Sequence, residues 1–185
     1  MNSVQKPVGS KFMIMKIRLS KTEDIPNILT IIDDAKAYLA SQKIDQWQNG
    51  YPNAAQVEND IKKGESYVVV NDENQVMATS MFTTRKEPTY KKIIDGNWIV
   101  SEDEKYGVVH RMAIKKEFRK YGLATFMFDE FHLQLLEKNI KSLKIDTHEE
   151  NIGMQSLIKK LGYQYCGIIY TSYGAKRLAF EKVIS

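Results

Sequence analysis

Residues 106–138 constrain the fold more than any other stretch of the chain. They open on an apolar run, with Val108, Val109, Met112 and Ile114, that predicts a strand over 106–114. A charged turn follows, Lys115-Lys116-Glu117-Phe118-Arg119-Lys120. A helix is then predicted over 121–138, with Leu123, Met127, Phe131 and Leu135 at every fourth residue. A strand feeding an amphipathic helix in this way requires a sheet with helices packed on it.

The flanking segments fill in that sheet. A short strand is predicted over 16–19, followed by a helix with Thr22 as its cap, Glu23 and Asp24 in its first turn, and Pro26 where a missing N–H does no harm. Ile25, Ile28, Leu29, Ile32 and Leu39 then recur at helical spacing. A second helix is predicted over 54–63, and strands over 67–70 and 76–83 form a hairpin around the turn at 71–74. After the central unit come a strand at 142–147, a helix at 151–161 and strands at 164–170 and 177–183. The order predicts an α/β (α+β) fold, a mixed, mostly antiparallel sheet with helices on both faces. Residues 16–185 read as a single domain, and residues 1–15 as a flexible extension with translation also able to start at Met13 or Met15. Residues 85–104 lack a period and form a long excursion of the kind that often carries function.

Composition narrows the function classes. With 43% hydrophobic and 27% charged residues, the chain reads as an ordinary globular protein. The lone Cys166 excludes an internal disulfide and a cysteine-rich metal site, and suits a reducing, cytoplasmic setting. A net charge of +4, spread along the chain, argues against nucleic-acid binding but favours a polyanionic ligand. No apolar run approaches the ~20 residues a bilayer span needs.

The turn at 119–124 has the spacing Arg-x-x-Gly-x-Ala, with Arg119, Gly122 and Ala124. A helix start presents main-chain N–H groups without helical partners, and its dipole favours negative charge. Gly122 admits a ligand close to the backbone, Ala124 keeps the next turn slim, and Arg119 adds a charged contact or steadies the loop. An ordinary strand-to-helix turn with a surface arginine is the other reading of the same residues.

Together the strand, turn and helix resemble the acetyl-CoA-binding core of the GNAT superfamily of N-acetyltransferases. The likeness continues downstream, where Asn151 opens a helix that ends in Lys160-Leu161-Gly162-Tyr163. The resemblance implies that main-chain groups of Met112, Ala113 and Ile114 pair with the pantetheine arm. It implies that amides of Lys120, Tyr121, Gly122, Leu123, Ala124 and Thr125, with Arg119, surround the pyrophosphate of acetyl-CoA; no metal is expected, because no ligand spacing joins the histidines and acids. It gives Asn151 a cofactor contact; a plain helix cap is its alternative. Two departures are tolerated variants: Lys116 where the family often has proline, and Ala124 where a second glycine is commoner.

The implied reaction is direct attack of a primary amine on the acetyl thioester. The amine must lose a proton, the oxyanion needs a donor (a strand amide near Met112), and the leaving thiolate takes a proton. His110, alternating with Val108, Met112 and Ile114, is the candidate base or water relay, with a hydrogen-bonded core histidine as the alternative. His148 and Glu149 lie just beyond the neighbouring strand, with Asp146 one step earlier; they are candidates to line the same cleft, with a solvated loop as the alternative. Ile158 stands where the family often places its tyrosine acid, while Tyr163, Tyr165 and Tyr170 lie nearby. Cys166 lacks the partner pattern of a nucleophile and reads as packing. Trp47, Tyr51, Tyr90 and Trp98 are candidates for an acceptor pocket wall, loop anchors or a homodimer contact. The acceptor is a small molecule or peptide amine; a non-catalytic acyl-CoA sensor is the alternative function.

Overall fold

The computed structural model describes residues 3–8 and 11–185. Its strands are β1 (Ser3–Val8), β2 (Lys11–Leu19), β3 (Ser66–Val70), β4 (Val76–Thr83), β5 (Gly107–Ile114), β6 (Ser142–Thr147), β7 (Gln164–Tyr170) and β8 (Lys176–Val183). Its helices are α1 (Ile25–Ser41), α2 (Ala54–Lys62), α3 (Leu123–Glu137) and α4 (Ile152–Lys160). The chain divides into two compact units, one holding the described residues up to Phe82 with Arg111–Phe131, the other Thr83–His110 with His132–Ser185.

In the first unit β1, β2, β3 and β4 pair antiparallel in that order, and β5 follows beside β4. Ile28, Ile31 and Ile32 of α1 and Val57 of α2 pack on Val68, Val70, Val76 and Ala113. Neighbouring strand residues point to opposite faces, so Tyr67 of β3 turns the other way and meets Phe131 of α3 at 5.3 Å between ring centroids. Phe82 stacks on the same Phe131 at 4.5 Å. Helices therefore cover both faces of this part of the sheet. The start of α1 differs from expectation. Asp24, not Thr22, makes the local bonds, accepting from Lys21 N–H at 2.7 Å and pairing with Arg18 at 2.6 Å. A buried carboxylate beside a guanidinium is a stronger organiser than a hydroxyl cap.

Residues 3–8 and 11–15 are strand, where the sequence predicts a flexible extension over 1–15. β1 pairs with β2 along its whole length, Ser3 opposite Lys16 and Val8 opposite Lys11. Main-chain pairing of this kind depends on a partner strand and leaves little mark on local periodicity. Met1, Asn2, Gly9 and Ser10 of that extension lie outside the described residues.

In the second unit β5 pairs parallel with β6 through Gly107–Leu143 and Val108–Lys144, and β8 joins β6 and β7 antiparallel. The whole is a mixed, mostly antiparallel sheet. A core of Tyr90, Tyr106, Val108, Ile169 and Ala179 fills this unit. The long excursion is tied down within it. Ile94 and Ile168 exchange main-chain bonds at 2.9 and 2.8 Å, and the Glu181 carboxylate accepts from Ile99 N–H at 2.6 Å. Among the described residues no helix is long and apolar enough to cross a membrane.

Candidate active site

After β5 the chain makes the tight turn that the charged sequence predicts. Lys115 N–H still bonds to Met77 O at 2.9 Å, and a short 3₁₀ turn at Lys116–Phe118 closes with Phe118 N–H on Lys115 O. Lys120 and Gly122 then adopt left-handed φ values of 75° and 74°. Glycine takes this conformation without strain, which is why Gly122 stands there. Its carbonyl accepts the first helical bond, from Phe126 N–H at 3.0 Å, so Gly122 is the last residue before α3. The N–H groups of Leu123, Ala124 and Thr125 thus belong to the first turn, which has no helical acceptors for them. Arg119 places its guanidinium 4.8 Å above the Tyr38 ring, steadying the turn, and Lys120 is exposed beside it. Two cationic side chains, two small residues and a ring of first-turn donors suit a diphosphate ester.

Upstream, Met112 and Ala113 are buried and Ile114 half-buried. Arg111 carries a left-handed φ of 54° inside a strand, a conformation costing about 1–3 kcal/mol unless held by its surroundings. Here it is held. Its guanidinium pairs with Asp60 at 2.6 Å and donates to the Tyr51 hydroxyl at 2.5 Å, while Gln56 donates to the other Asp60 oxygen. This kink breaks the regular alternation expected to carry from His110 through Met112 and Ile114. Val108 and His110 still share Tyr90 as a neighbour, the two rings of Tyr90 and His110 lying 6.1 Å apart.

His110 sits among acids. Its Nε2 lies 3.2 Å from Glu87 Oε2, and its Nδ1 3.7 Å from Asp146 Oδ1. Continuing the β5–β6 register brings Asp146 level with His110. Tyr90, fully buried, donates its hydroxyl to Asp146 Oδ1 at 2.7 Å. Glu87 accepts from both the N–H and the hydroxyl of Thr89 through Oε1. Burial pushes the Glu87 carboxyl up, but bonds and charge from His110 and the Thr89 donors outweigh it and bring it down to about 2. The His110 side chain is 20% exposed, so the cluster is reachable from solvent.

Of the remaining candidates, Asn151 caps α4, accepting Met154 N–H at 3.1 Å. Ile158 is fully buried and brings no hydroxyl. Tyr163 shares a 2.8 Å hydrogen bond with buried His132, whereas Tyr165 and Tyr170 are exposed. His148 accepts Glu150 N–H and Glu149 pairs with Lys176, an ordinary surface loop. Cys166 is buried, and burial drives its thiol up to about 11, which suits packing and not nucleophilic attack. The four loop aromatics part company. Tyr90 and Trp98 anchor the second unit, Trp98 donating to Tyr90 O at 2.8 Å, whereas Trp47 packs on the α1 core and Tyr51 binds Arg111. Glu87 escaped the sequence reading. It lies in the aperiodic excursion, a kind of segment that often carries function, but nothing local singles it out. Among the described residues no group of three or more His, Cys, Asp or Glu side chains is arranged to hold a metal ion.

A left-handed glycine thus opens a helix that follows a strand of a mixed, mostly antiparallel sheet. The model of the acetyltransferase (GNAT) family matches residues 32–163, and the chain belongs to that family. An acetyltransferase of the GNAT family from Streptococcus agalactiae is 32% identical, with a TM-score of 0.82 over 92% of this chain and 96% of that one. A second, from Listeria monocytogenes, shares the fold at 15% identity and a TM-score of 0.74, covering 98% and 100% of the two chains. An N-acetyltransferase from Staphylococcus aureus does so at 17% identity and 0.63, covering 92% and 99%. No sequence among curated proteins matches the chain.

Proposed function

We propose that the protein moves an acetyl group from acetyl-CoA to a primary amine, with His110 as the base that frees the amine for attack. The observation that carries this reading is the turn at Gly122, whose first-turn donors and flanking cations suit a diphosphate. When bound, acetyl-CoA supplies the thioester carbon that the amine attacks. The chain's own work is to hold and to move protons. Amides of residues 120–125 and the Arg119 side chain bind the pyrophosphate, and main-chain groups of Met112, Ala113 and Ile114 line the pantetheine arm. A strand amide near Met112 donates to the thioester oxygen. His110, immediately before this stretch on β5, accepts the proton from the ammonium. Residues 16–185 act together as one acetyltransferase domain in this reading. With Ile158 apolar, solvent supplies the proton to the departing thiolate.

Calorimetric titration with coenzyme A tests the turn. Gly122→Glu puts a carboxylate among the donors and is expected to weaken binding about a hundredfold or more, ~2.7 kcal/mol, in a protein whose circular dichroism is unchanged. Undiminished affinity in that folded variant refutes the assignment. Thiol release with a panel of amines tests the chemistry. Turnover of an amine supports transfer, whereas tight binding with no turnover of any amine supports a sensor. His110→Ala is expected to slow the reaction about a hundredfold near neutrality, with acetyl-CoA affinity kept.

A further inference from the structure

Resting on the proposed transfer to an amine, we infer that Arg177 selects an acceptor that carries an anionic group, a carboxylate or a phosphate, besides its amine. Lys144 and Arg177 are the most deeply buried cations among the described residues, 0% and 3% exposed. Lys144 has an acid, Glu102, at 3.5 Å. Arg111 and Arg18, less deeply placed, have Asp60 and Asp24. Among the described residues no carboxylate pairs with Arg177. Its Nη1 donates to Lys176 O at 2.8 Å and its Nη2 to the Tyr173 hydroxyl at 3.1 Å, both neutral oxygens. A guanidinium does not shed its proton, so burying it without a counter-charge is costly. The donors left over form the fork that fits two oxygens of a carboxylate or phosphate.

Strand register puts this cation on the face that carries His110. Arg177 stands opposite Ile169 of β7 and two positions before Ala179 of β8, so the three residues share one side of the sheet. Ile169 and Ala179 pack with Tyr90 on that side. Asp146, opposite Ala179, accepts the Tyr90 hydroxyl there, and the Tyr90 ring lies 6.1 Å from that of His110. Arg177 is thus two strands across and two residues along from His110, a span that one small molecule bridges between two long side chains. Tyr173 stands on the β7–β8 turn and is 55% exposed, so the hydroxyl it lends to Arg177 can give way to a ligand. An arriving anion replaces that neutral acceptor with a charge-assisted pair. A neutral group gains nothing by the exchange.

Thiol release with 4-aminobutanoate, 4-aminobutyl phosphate and the neutral 4-amino-1-butanol compares a carboxylate, a phosphate and no charge on one carbon chain. At least one anionic amine is expected to exceed the alcohol about tenfold or more in kcat/KM, and the better of the two identifies the anion. Arg177→Gln is expected to bring the three values together. Equal values in the wild type, or a preference that survives in Arg177→Gln, overturn the selection. The Arg177 Nε–H resonance of the ¹⁵N-labelled full-length chain reads binding without turnover. It is assigned by its loss in Arg177→Lys, which keeps the charge. Titration with the two anionic amines is expected to shift it, and titration with the alcohol to leave it in place. No shift with either anion overturns the site even in an active protein. A shift without thiol release from any amine supports the anion site and removes the transfer reading instead.

Discussion

Arg111 shows how one residue can hold a conformation that its own backbone resists. Its side chain and that of Asp60 are both nearly buried, 9% and 5% exposed, so each charge depends on the other. Arg111→Ala is expected to destabilise the protein by about 3–5 kcal/mol in urea unfolding, because it strands the Asp60 carboxylate. Arg111→Gly relieves the left-handed backbone and should cost less than Arg111→Ala. Two other residues contribute to the response to acid. Burial, aided by the Lys182 charge, depresses His132 from 6.5 to about 4. The unfolded chain therefore binds a proton more readily between those values, and the stability His132 contributes is present above pH 6.5 and lost as pH falls through 4. Urea midpoints at pH 7 and pH 4.5 should differ less in His132→Gln than in the wild type. Glu87 acts in a lower window: its contribution holds above 4.5 and disappears as pH falls through about 2.

Among the elements, the excursion at 85–104 depends on close approach. A Cβ added to Gly96 would lie 2.0 Å from the main-chain oxygen of Cys166, which cannot yield without moving β7. Gly96→Ala is expected to lower stability by about 1–3 kcal/mol or more in thermal unfolding, although Gly96 touches none of the proposed chemistry. Regular elements were legible where one repeat dominates: the helix around Leu123, Met127, Phe131 and Leu135 was placed to within two residues of α3. β1 was not, because its order comes from pairing with β2. Nor was the break at Arg111, since nothing in the run Val-Val-His-Arg-Met-Ala-Ile reports a left-handed backbone.

For the molecule as a whole, ligand binding to the folded state alone must raise its apparent stability. Acetyl-CoA at about a hundred times its dissociation constant should add ~2.7 kcal/mol, seen as a higher Tm, and Gly122→Glu should abolish that rise. Membership of the acetyltransferase family spans residues 32–163, and that was readable in advance from the Arg119–Gly122–Ala124 turn and the Asn151–Tyr163 helix. These features are local: spacing along the chain dictates a helix start, and a helix start is already an anion site. The surroundings of His110 are different in kind. Glu87, Tyr90 and Asp146 are 23, 20 and 36 positions from it, and they meet it through strand register and an aperiodic loop. Short-range pattern determined the fold class and the turn that opens α3 at Gly122. Only tertiary packing decided which acids face the imidazole, because non-local contacts are selected by the sheet and core as a unit and leave no period in the sequence.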